Sequence, residues 1–173
     1  MCSSDLYLLN TILAVAGAAA LTSCSANLVG SSRGMSSGSY KVTAYAPKNP
    51  SAVRVKVSTS TQHIYVLEGD RLLMAVQGNV GKPGSTTPHG NFTIFNKDKT
   101  RRRQSEPDRG YPMAYWCEFA PAYGFHEGFV WSEPHTHGCI RLHKEAAARF
   151  YALVRIGTPV NIDRKSTRLK SSH

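Results

Sequence analysis

The chain has 173 residues, 41% hydrophobic and 18% charged, which is one domain's worth of sequence with apolar content enough for a proper core. Its formal net charge is +10, from 21 Lys and Arg against 11 Asp and Glu, so an anionic polymer or a membrane surface suits it better than a cationic partner. There are four cysteines, but Cys2 and Cys24 stand near the N-terminus and only Cys117 and Cys139 fall in the foldable part, which excludes a disulfide framework.

The two ends read differently from the middle. Arg164 to His173 resembles translated sequencing-adapter read-through, and Cys2 to Leu6 looks similar in origin. Setting aside residues 164–173 removes four positive charges and setting aside residues 1–6 removes one negative, which leaves +7. Leu6 to Leu21 is an alanine-rich apolar run, short for a membrane span and of the right length for the core of a signal sequence, although no Lys or Arg precedes it. Leu21-Thr22-Ser23-Cys24 resembles a lipobox, in which Cys24 would be lipidated and hold the protein to a membrane. Residues 1–24 are thus expected to direct export, and the protein to act on the periplasmic side as an anchored lipoprotein. Residues 25–50, rich in Ser, Gly and Asn, are expected to be a flexible linker. About 25 such residues average ~25–30 Å as a coil and reach on the order of 85 Å extended.

A folded domain is expected over residues 51–163. Val53 to Val57 alternates apolar and basic residues as a half-buried strand does. Gln62 to Glu68 and Arg71 to Gln77 read as a hairpin around Gly69-Asp70. Gly78 to Gly90, with its glycines and prolines, is loop, and Asn91 to Asn96 is the next strand. Lys97 to Arg109 carries Arg101-Arg102-Arg103 and reads as a solvated loop or, more sharply, a basic lid that meets carboxylates. Met113 to Phe119 is an apolar strand holding Cys117 as core packing, and a short strand ends at His126. Lys144 to Ile156 is the one clear helix, with Ala147, Phe150, Tyr151 and Val154 on one stripe and Gly157 as its stop. Pro159 to Asp163 closes the sheet.

The chemistry concentrates in His135-Thr136-His137-Gly138-Cys139-Ile140-Arg141-Leu142. A thiol attacks as thiolate, and cationic or imidazole neighbours favour that form. A glycine directly before the cysteine lets consecutive backbone N–H groups converge on one oxygen, as an oxyanion hole requires. His126, thirteen residues upstream, is the candidate base, so Cys139 with His126 reads as nucleophile and general base for acyl transfer. Read without further context, His135, His137 and Cys139 alternate as on a strand and with His126 would also make a zinc or copper site.

Thr136-His137-Gly138-Cys139 resembles the signature of the L,D-transpeptidase catalytic-domain family. Gly81-Lys82-Pro83-Gly84, Thr87-Pro88-His89-Gly90-Asn91-Phe92 and Gly157-Thr158-Pro159-Val160 are similar to further stretches of that family, in order, from about Val53 to Asp163. Glu127 stands where the family usually has Gly or Ser, and the interval from His126 to Cys139 is short. The resemblance implies a mainly β fold, a β-sandwich with one helix after the catalytic loop, and a cysteine enzyme with no cofactor, no metal and no nucleic-acid partner. It implies a peptidoglycan tetrapeptide stem as acyl donor, attacked by Cys139 at the bond before the terminal D-alanine. The acceptor would be a second stem, a wall-anchored lipoprotein or, in a carboxypeptidase, water. Gly138 and Cys139 amides would hold the oxyanion, His137 would shape their loop, Arg141 would orient the loop or a substrate carboxylate, and Trp131 would wall the donor pocket. A metal-binding or wall-binding β-domain without catalysis is the alternative from a different class.

Overall fold

Alternation dictates the first element. In the computed structural model, which describes residues 41–103 and 110–165, β1 (Val53–Ser58) buries Val53, Val55 and Val57 and leaves Arg54 and Lys56 half-exposed. Successive strand residues face opposite sides, so only this register hides all three valines at once. β2 (His63–Glu68) and β3 (Arg71–Gln77) form the expected hairpin, with Gly69 at φ +57° in its turn. β1 pairs antiparallel with β2 and parallel with β9 (Pro159–Asp163), which in turn pairs antiparallel with β4 (Gly90–Thr93). The first sheet therefore runs β3-β2-β1-β9-β4.

The second sheet runs in the order β5 (Asn96–Asp98), β6 (Trp116–Ala120), β7 (Tyr123–Glu127), β8 (Ile140–Leu142). Its first two pairings are antiparallel and the last, β7 with β8, is parallel. The two sheets and α1 (Lys144–Leu153) enclose one core, in which Phe92, Phe119, Phe125 and Phe150 touch in succession from β4 to the helix, at ring centroid distances of 5.4, 5.4 and 4.4 Å. Burying large apolar side chains from both layers is what holds such a sandwich together. The expected mainly β sandwich with a helix after the histidine-glycine-cysteine loop is the fold observed. Among the described residues no helix is long and apolar enough to cross a membrane.

Four local expectations are corrected. Asn91 to Asn96 is not one strand. The chain leaves the first sheet at Thr93, Ile94 exchanges backbone bonds with Thr158 and Gly157 (2.9 and 2.8 Å), and Phe95 N–H already donates to Glu118 in the second sheet (3.0 Å). The sixth strand begins at Trp116 rather than Met113, because Tyr115 takes a left-handed φ of +58° and Met113 and Tyr115 bond back to Arg101 and Lys99. The helix ends at Leu153, three residues early. Val154 is extended, and the Lys97 ammonium donates to the carbonyls of Tyr151 and Val154 at 2.7 and 2.6 Å, satisfying acceptors that a helix end leaves open. The linker is shorter than expected, since Ala44 is buried, bridges Met74, and is followed by a Tyr45 to Leu73 backbone bond. The expectations for residues 1–24, lipidation at Cys24, the linker up to residue 40 and the tail from residue 166 onward lie outside the described residues.

Candidate active site

The parallel pair β7–β8 builds the site. Its register sets Phe125 opposite Ile140 and His126 opposite Arg141. Phe125 and Ile140 are fully buried in the core, so alternation turns His126 and Arg141 to the other face. Cys139 stands directly before β8, and the Gly124 amide of β7 reaches its thiol. Its Sγ lies 3.7 Å from the carbonyl oxygen of Ala122 in the β6–β7 turn, and the thiol donates to it.

His126 is only 4% exposed. Its Nδ1 bonds the backbone carbonyl of Glu127 at 2.7 Å. A carbonyl only accepts, so Nδ1 carries the ring hydrogen and Nε2 keeps its lone pair. Burial lowers the ring's pKa to about 4, with Arg141 adding to the effect and the Glu127 bond opposing it. The imidazole is therefore neutral at neutral pH. Because the backbone of Glu127 makes the contact, its side chain is immaterial to it, and the departure from Gly or Ser at this position leaves the ring held.

The cysteine loop is shaped by Thr136 rather than His137. Thr136 is 1% exposed; its Oγ1 donates to the Cys139 carbonyl (2.5 Å) and accepts from the Gly138 N–H (3.1 Å). His137 is exposed. The Gly138 amide is thus engaged by Thr136, so the expected pair of oxyanion donors at Gly138 and Cys139 is not presented in this arrangement. Gly138 itself sits at φ +116°, and a Cβ there would come within 2.4 Å of the Tyr123 ring, which only glycine avoids. Val80 accepts from both His135 and Thr136, and Lys82 N–H donates to Thr136. Gly81 approaches Ser85 and Thr87 so closely that a Cβ would meet their backbones at 2.3–2.5 Å. The glycine-rich stretch from Gly81 to Gly90 is therefore the support of the cysteine loop.

Burial holds the Cys139 thiol above its ordinary pKa, and Glu118 pushes the same way, while the Gly124 amide and the Arg141 and Arg101 cations oppose them. At rest the pair is a thiol and a neutral imidazole. Cys117, fully buried, is pushed up to about 12 by burial, and packs in the core as expected. Arg141 exchanges both backbone bonds with Asn79 (2.8 and 2.9 Å), runs under Gly128, and keeps a buried Nε without a partner. Trp131 is 42% exposed and packs edge-on against Phe129 and tilted against His135, at ring centroid distances of 4.6 and 4.8 Å. Its backbone N–H donates to the fully buried Asn79, whose side chain also donates to Gln62 and to the Glu133 carbonyl. Arg101 is no lid residue; it pairs with Glu118 at 3.0 Å and lies over the Trp116 ring at 4.5 Å.

The metal reading loses its premise, because His135, His137 and Cys139 precede β8 in a turn and do not alternate along a strand. Among the described residues no three His, Cys, Asp or Glu side chains gather closely enough to hold an ion. Sequence reasoning missed Thr136, Asn79, Gln62 and Glu118. Thr136 lay within the signature, and the others gave no local signal.

The family model of the L,D-transpeptidase catalytic domain (YkuD) matches residues 52–162. The chain belongs to the L,D-transpeptidase catalytic-domain family. The Bacillus licheniformis protein YkuD, named for that activity, is 30% identical over 122 residues, covering 66% of this chain and 69% of its own. Two solved L,D-transpeptidases share the fold. That from Stackebrandtia nassauensis superposes with a TM-score of 0.59 at 22% identity, over 69% of this chain and 58% of its own. That from Mycobacterium tuberculosis H37Rv gives 0.59 at 23% identity, over 65% and 57%. The chain therefore spans less than two thirds of either solved relative.

Proposed function

We propose that the protein is a cysteine-dependent L,D-transpeptidase of peptidoglycan stem peptides, with Cys139 as nucleophile and His126 as general base. The observation that carries this reading is the His126 ring, neutral by burial and fixed through Nδ1 to the Glu127 carbonyl, on the strand paired with the one that Cys139 directly precedes. The thiol proton passes to Nε2 as Sγ bonds the donor's carbonyl carbon. The bond to the terminal D-alanine breaks, and the departing amine takes the proton from His126. An acceptor amine then attacks the thioester, gives its proton to His126, and the sulfur recovers it. Arg141, whose cation acts on the Cys139 thiol, meets a stem carboxylate, and Trp131, partly exposed, walls the donor side.

The proposal includes the expected organisation: residues 1–24 for export with lipidation at Cys24, a linker, a catalytic domain over residues 51–163, and action on the periplasmic side at the wall. The acceptor is a second stem or a wall-anchored lipoprotein.

A carbapenem tests the chemistry, since its strained acyl group reacts with a positioned thiol even when turnover is slow. Intact mass should show one covalent adduct, mapped to the peptide holding Cys139 and absent from Cys139→Ala. Cys139→Ala should also form no cross-linked product from disaccharide-tetrapeptide. An adduct on Cys117, or cross-links made by the alanine variant, would remove Cys139 as nucleophile.

A further inference from the structure

Glu118 is a carboxylate on β6 that the acyl-transfer scheme does not use, yet it is 7% exposed and fully engaged. One oxygen, Oε2, accepts from Arg101 Nη1 (3.0 Å), Asn96 Nδ2 (3.1 Å) and the Trp116 indole (3.2 Å). The other, Oε1, accepts from the backbone N–H of Ala122 (3.2 Å). Four donors on one buried carboxylate fix both its charge and its orientation.

What Oε1 holds is a strained turn. Ala122 has φ +65°, a region that a residue with a Cβ enters at a cost and keeps only where its surroundings impose it. Three consecutive residues of that turn and strand then address the cysteine loop. The Ala122 carbonyl accepts from Cys139 Sγ at 3.7 Å, the Tyr123 ring lies where a Cβ of Gly138 would be, and the Gly124 amide reaches the thiol from β7. Gly124 is kept in place independently, since it pairs with Glu118 in the backbone ladder.

On the reading of Cys139 as nucleophile, we infer that Glu118 is its positioning residue: anchored by Arg101, Asn96 and Trp116, it holds the Ala122 turn so that the Ala122 carbonyl parks the resting thiol. That carbonyl stabilises the S–H form, because it can accept from a thiol and only repels a thiolate. The charged groups that face the sulfur are Glu118 on β6, Arg101 from the segment after β5, and Arg141 on β8, with the neutral His126 on β7. Glu118 and Arg101 act on the thiol with opposite sign, which gives the test its form.

The experiment is the rate of Cys139 alkylation by iodoacetamide against pH, read by peptide mass in the folded protein, beside the kcat and KM of cross-link formation and the melting temperature. Glu118→Gln should lower the alkylation midpoint by about one unit and reduce kcat on the order of tenfold with KM little changed. Arg101→Gln, which leaves the bond from Ala122 N–H to Glu118 in place, should raise the midpoint and serves where the first variant does not fold. Midpoints and kcat unchanged in folded variants, with only the melting temperature lowered, would reduce Glu118 to a structural anchor. Should Cys139→Ala still cross-link while the two midpoints move in opposite directions, the nucleophile reading fails and the positioning stands.

Discussion

His126 shows at the scale of one residue how a site is set against the stability of the molecule that carries it. Its folded pKa of about 4 lies below its ordinary 6.5, with burial as the main cause. An unfolded chain therefore takes up the proton first as pH falls. The stability that depends on a neutral ring is complete above about pH 6.5 and is lost progressively as pH drops toward 4, by at most roughly 3 kcal/mol. Melting temperature should fall across that window, and His126→Phe should flatten the fall; an equal slope in the variant would locate its source elsewhere. Cys139 and His126 stand out in the sequence as candidates because their chemistry is carried by residue type and neighbours. Thr136 and Glu118 do not, because each acts through bonds whose partners only the fold brings near. His137 stands out as an imidazole, but it is exposed, and the Gly138 amide is engaged by Thr136 instead.

Among the elements, α1 depends on a residue from another sheet. No basic side chain stands in its last turn, and Lys97 of β5 supplies the missing donor, its ammonium also lying 4.0 Å above the Tyr151 ring. Lys97→Met should leave two carbonyls unpaired at a buried helix end and cost about 1–3 kcal/mol. The check is a urea titration at constant slope, with acylation by a carbapenem retained in the folded fraction; an unchanged midpoint would show that water replaces the amine without cost. β1 was legible because its alternation hides one face, and the β2–β3 hairpin because Gly69-Asp70 marks its turn. The break at Ile94 and Phe95 was not. Both residues are apolar and extend the run from Phe92, and only their bonds to Thr158 and Glu118 reveal that the chain has changed sheets.

For the molecule as a whole, the last strand lies inside the first sheet. β9 sits between β1 and β4, pairing parallel with one and antiparallel with the other, and contributes the buried Val160 and Ile162 to the core. A chain cut after residue 165 keeps every strand of the described residues and should melt as the full chain does. A chain cut after Thr158 loses the partner of both neighbours and should show no cooperative transition; a sharp transition there would mean that β1 and β4 can close the gap alone. Long-range pairing of this kind is formed late, since its loop must close before any contact rewards it. Synthesis proceeds from the N-terminus, so every group around Cys139 is made before the strand that completes the barrier between solvent and core. Until residues 159–163 emerge, the nascent chain exposes one unpaired edge of β1, the kind of edge that recruits other strands. Closure of the core therefore waits for residues 159–163, and a chain that has not yet presented them offers that edge to any strand it meets.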